Sequence, residues 1–64
     1  MENLIIIKKA IELLKQRNQM LEASQIKAMG DRDFTLFGNI QRLINQNSSM
    51  ILDFEFRVSK MEHN

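Results

Sequence analysis

Few side chains in this 64-residue chain could do covalent or metal chemistry. There is one histidine, His63, one position from the last residue, and there is no cysteine or tyrosine. A nucleophile needs a base within hydrogen-bond reach and a third group to orient that base. Asp53/Arg57 and Ser59/Glu62 stand at helical spacing, but such pairs are ordinary on a solvated helix surface. Asp31, Asp33, Asp53 and Glu55 lack the dense alternation of a calcium loop, and the Glu-x-x-His pattern of di-iron bundles is absent. The expectation is a protein that is not an enzyme, with no catalytic residue, no metal site and no cofactor. His63 is read as a frayed terminal residue. Asn47-Ser48-Ser49 matches a glycosylation acceptor but falls in mid-helix.

Basic residues offer a second kind of chemistry. Lys8, Lys9, Lys15 and Arg17 could touch the phosphates of RNA or DNA. Against this, Glu12 and Glu22 interleave with them, and all four phenylalanines lie in the second half of the chain. A base-stacking platform beside a basic groove is hard to build from that arrangement. Net charge is only +1, far from a concentrated positive field. Alternating signs at Lys8, Glu12, Lys15, Gln19 and Glu22 read as a solvated face.

What would position any of these groups is a pair of helices. Leu4, Ile7, Ile11, Leu14, Asn18, Leu21, Gln25 and Ala28 recur at alternating steps of three and four. So do Phe37, Ile40, Ile44, Asn47, Ile51, Phe54, Val58 and Met61. That spacing is the seam of packed helices. Proline is absent and both glycines lie between the two runs or just inside the second. The pattern predicts one all-α domain over 1–64: a helix at 2–28, a turn at 29–33 and a helix at 34–62, forming an antiparallel hairpin. Gly30 is expected to end the first helix in a left-handed conformation, and Asp31 or Asp33 to cap the second. Gly38 marks a weak point, as a tolerated residue or small kink, as a site where a neighbouring helix needs close approach, or as a break after a separate turn at 33–37. A turn centred on Asp31 sets partners whose numbers add to about 62, with Asn18 opposite Ile44 and Leu14 near Asn47. The two asparagines would then lie about one turn apart, as polar residues that set the register.

The apolar surface is wider than these seams. Ile6, Leu13 and Met20, with Ala10, form a second row on the first helix, interrupted by Arg17. Leu36, Leu43 and Met50 form one on the second, interrupted by Arg57. A helix with one neighbour needs a narrow stripe, and a wide one implies two neighbours. A chain this short also rarely holds enough core to stand alone without disulfides, metal or association. The six large residues of the second rows are therefore expected to form the interface of a dimer, a four-helix bundle made from two hairpins, or of a bundle completed by another helical protein. Ile5, Leu52 and Phe56 fall outside both stripes and are expected to form an outer contact surface near the open end; Ile26 lies outside them too.

The layout of one short hairpin set to dimerise is similar to that of the repressor-of-primer family of plasmid-encoded RNA-binding proteins, and in size to small helical regulators and secretion chaperones of bacteria. The likeness is one of architecture, which does not carry function. The residues favour a small non-enzymatic protein–protein interaction module (a regulator, inhibitor or assembly chaperone); the alternative is an RNA- or DNA-binding bundle using the basic residues of helix 1. Leu4 to Ile7 has no basic leader and is too short for a membrane span, so the chain is expected to be cytoplasmic with no membrane contact. Abundant Ile, Asn, Gln and Lys suggest an AT-rich genome, of a bacterium or phage.

Overall fold

In a computed structural model, which describes residues 3–63, the uninterrupted runs of helix-forming residues become two long helices, α1 (Leu4–Gly30) and α2 (Phe34–Glu62). Residue 2, the expected first residue of the first helix, lies outside the described residues. Asn3 opens α1, its Oδ1 accepting a hydrogen bond from the Ile5 backbone N–H at 2.9 Å. The helices pack against each other as an antiparallel hairpin 49 Å long and about a third as wide.

The turn differs from the expected one. α1 runs on through Gly30, neither glycine has a positive φ, and Arg32 takes the left-handed conformation instead, at φ 57°. Two backbone bonds close the helix end: Arg32 N–H to the Met29 carbonyl at 3.1 Å and Asp33 N–H to the Ala28 carbonyl at 2.8 Å. This is a Schellman closure with arginine where glycine is usual. The physical reason is Asp33. Its N–H completes α1, while its Oδ1 accepts from Leu36 N–H at 3.1 Å and its carbonyl from Phe37 N–H at 3.0 Å to begin α2. For one residue to serve both ends, the left-handed position must directly precede it, and that position is Arg32. Ala28, only 2% exposed, gives the turn room with its single methyl.

Every member of the two seams is buried or half-buried, and beyond them, among the described residues, only Ala10, Gln41 and Ser48 are withdrawn from solvent. Among the described residues the buried ones are Ile7, Ala28, Ile40, Ile44 and Ile51. The pairing register is corrected from the expected one. Asn47 Nδ2 donates to Asn18 Oδ1 at 3.0 Å, so facing residues have numbers adding to 65. Asn18 does not face Ile44, and Leu14 is level with Ile51 rather than with Asn47. The three-residue slide, about 4.5 Å along the axis, follows from the turn lying later in the chain than Asp31. In this register seam residue meets seam residue at every level, from Leu4 with Met61 to Ala28 with Phe37.

α2 is continuous through Gly38, and a Cβ placed there would meet nothing within 4 Å. Gly38 does not break the helix, and within the hairpin no other element approaches it closely.

Candidate protein-interaction face

The seam carries polar groups at two levels. Asn18 accepts from Asn47 and donates to Ser48 Oγ at 3.3 Å. About two turns nearer the loop, Gln25 Nε2 donates to Gln41 Oε1 at 2.7 Å, and Gln41 Nε2 donates to Asn45 Oδ1 at 3.0 Å. Among the described residues no buried side-chain polar atom lacks a partner. Ser48 and Gln41 were not singled out from the sequence. Each directly follows a seam residue of α2, which is a readable signal once the register is known.

A hairpin has two broad faces, one on each side of the plane that holds its axes. On one face lie the residues just after seam positions. Lys8 Nζ meets Glu62 Oε1 at 2.7 Å, and Lys15 Nζ meets Glu55 Oε2 at 3.8 Å. The hydrogen bond and charge of Lys8 hold the Glu62 carboxyl below its ordinary value of 4.5. Two of the four basic residues considered for nucleic acid are therefore engaged across the hairpin. These pairs are solvated, so each contributes little to stability.

On the other face lie the residues just before seam positions, among them Ile6, Leu13 and Met20 from α1 and Leu36, Leu43 and Met50 from α2, with Arg17, Gln46, Asp53 and Arg57 between or beside them. The six apolar ones are exposed, between 43% and 71%. The structure turns both second rows the same way. Leu13 and Met50 line one groove together with Ala10, Leu14, Arg17 and Phe54. The Arg57 guanidinium lies 5.7 Å from the centre of the Phe54 ring near the open end of this face. Six large exposed apolar residues on one face, interrupted by Arg17 and Arg57, are more than the singly scattered ones usual on a monomer.

Ile5, Leu52 and Phe56 are exposed as well, at 63–69%. The observed register places Ile5 level with residue 60, so Phe56 lies about 6 Å and Leu52 about 12 Å further along the axis. They share one half of the hairpin. Lys60 Nζ stands 4.8 Å from the Phe56 ring centre, a cation over an aromatic face. The backbone N–H of His63 closes α2 on the Ser59 carbonyl at 3.1 Å. Among the described residues no group of three or more His, Cys, Asp or Glu gathers to hold a metal. No described helix is long and apolar enough to cross a membrane.

No protein-family model matches the chain, and no curated protein or solved structure is significantly similar to it.

Proposed function

We propose that this hairpin is a non-enzymatic protein–protein interaction module whose apolar face packs on a second copy to complete a four-helix bundle. One observation carries the reading: six large apolar side chains lie exposed on one face of a two-helix layer. Area supports it. A folded monomer of this mass is expected to expose about 4,300 Å², whereas this chain exposes 5274 Å². The excess, about 1,000 Å², is close to the roughly 800 Å² that each partner contributes to a standard interface.

In this reading the module acts by helix packing, as a small regulator, inhibitor or assembly chaperone. Leu52 and Phe56 stay outside the dimer face and are left for a further helical protein. The half-buried amide layer of Asn18 and Asn47 sets the register of the hairpin. A nucleic-acid role has less support, because Lys8 and Lys15 are paired and Arg17 sits within the apolar face.

Sedimentation equilibrium of the unmutated chain tests the proposal. A dimer at micromolar concentration is expected. A well-folded monomer up to about 100 μM would overturn it, since that concentration corresponds to a binding free energy weaker than about 5.5 kcal/mol.

A further inference from the structure

Two hairpins can stack their apolar faces in two ways. With the two-fold axis along the rods, both turns lie at the same end and α1 of each copy rests on α2 of the other. With the axis crosswise, the turns lie at opposite ends and α1 rests on α1 running the other way. We propose that the copies associate with their turns at the same end. This rests on the self-association argued above and specifies its geometry.

The level of each residue along the rod decides between the two. Because facing numbers add to 65, Met50 is level with residue 15 of α1, Leu43 with residue 22 and Leu36 with residue 29. When the turns coincide, these levels carry over unchanged to the second copy. Leu13 then meets Met50, and Met20 meets Leu43, each offset by two residues or about 3 Å. That half-step is what interdigitated rows need.

The crosswise arrangement fails the same test. The α1 row Ile6–Leu13–Met20 is centred on Leu13, and the α2 row is centred on Leu43, about 13 Å further along the rod. No single crosswise axis superposes both rows on themselves. An axis midway between them sets Arg17 against Arg17 of the second copy, two like charges in an apolar interface.

Charge points the same way. Neither Arg17 nor Asp53 forms an ion pair with another described residue. With turns together, Arg17 of one copy faces Asp53 of the other at a separation of about 7 Å along the axis. Side chains lean toward the start of their own helix, and in antiparallel neighbours these two lean toward each other. A further consequence is bivalency: both copies of Leu52 and Phe56 are carried on the same half of the bundle.

The test uses the full chain, which has no cysteine to remove. An Asp31→Cys variant carries a nitroxide label in the turn, and the dipolar coupling between labels gives their separation. A distance under about 30 Å is expected, from helix spacings of 8–10 Å plus the label arms. A distance near the 49 Å length of the rod would overturn the orientation and leave the dimer standing. No coupling, together with a monomer in sedimentation of the same sample, would overturn both. The charge arm is independent. Arg17→Asp and Asp53→Arg should each weaken dimerisation about fivefold at low salt, and the double variant should recover most of it. Absence of recovery would overturn the cross-pairing that the orientation requires.

Discussion

The two broad faces of this hairpin are built from residues only one step away from the same seams. The residue before Ile7, Leu14 and Leu21 is Ile6, Leu13 and Met20. The residue after Ile7 and Leu14 is Lys8 and Lys15, and each of these lysines finds a glutamate of α2 across the hairpin. One face thus carries solvated pairs, with Ile5, Ile26, Met29 and Leu52 exposed beside them, and the other presents the six large apolar groups of the second rows. The difference teaches that asymmetry about the seam gives a two-helix layer an inside and an outside. A charged face keeps its free energy in water, while an apolar one lowers its free energy only by being covered.

The strongest way to break the comparison is to put a charge on the apolar face. Leu43→Asp should weaken dimerisation more than 100-fold, because an unpartnered carboxylate would be buried at about 3 kcal/mol or more. Sedimentation should show monomer, and circular dichroism should show reduced helicity. Lys15→Ala on the opposite face should leave the dissociation constant within about twofold. Equal effects from both variants would abolish the distinction between the faces.

A smaller effect is expected between the faces, in the amide layer. Asn18→Leu leaves Asn47 without its partner and should cost about 1 kcal/mol in chemical denaturation. The double change with Asn47→Leu should recover that loss while weakening the definition of the register, read from broadened amide resonances. A single variant more stable than the parent would show that the hydrogen bond contributes nothing.

Backbone changes away from the apolar face should raise stability without touching association. Gly38→Ala fills open space in a continuous helix and should gain up to about 1 kcal/mol. Arg32→Gly relieves a left-handed arginine and should gain a similar or slightly smaller amount. Thermal melts read the gain, and an unchanged dissociation constant keeps it separate from the interface.

The smallest effect belongs to the charged face and appears only with pH. Lys8 lowers the folded-state pKa of Glu62 from its ordinary 4.5. The pair therefore stabilises the fold fully above that ordinary value, and the contribution is lost as pH falls through the lowered one. Lys8→Ala should remove this slight acid dependence from a series of melts and leave the neutral-pH dimer unchanged. A pH profile identical to that of the parent would show that the pair does not stabilise the hairpin.

Much of the fold was legible because heptad spacing is a local property. Leu4 through Ala28 and Phe37 through Met61 lie three and four apart whatever the partner, so residue order alone carries both seams and the hairpin. The register was not legible. It hinged on whether Gly30 or Arg32 would adopt the left-handed conformation, and intrinsic preference points to glycine. Asp33 reversed that preference by serving two helices at once, a gain that exists only when both are present. Once the turn moved by a few residues, Asn18 met Asn47 instead of Ile44, and Lys8 and Lys15 came within reach of Glu62 and Glu55. None of these pairings can be found from either helix alone.

The candidate interaction face shows the same division. That Ile6, Leu13, Met20, Leu36, Leu43 and Met50 lie beside the seams followed from residue order and the 100° step of a helix. That both rows turn to one side, with Leu13 and Met50 lining one groove, needed the direction and level at which the second helix returns. The sequence by itself determined two amphipathic helices, a polar interruption in each and an apolar surface too wide for one neighbour. Only the tertiary structure decided which residues share a level and a face, because side-chain periodicity is set within a helix and register is set by the turn between two.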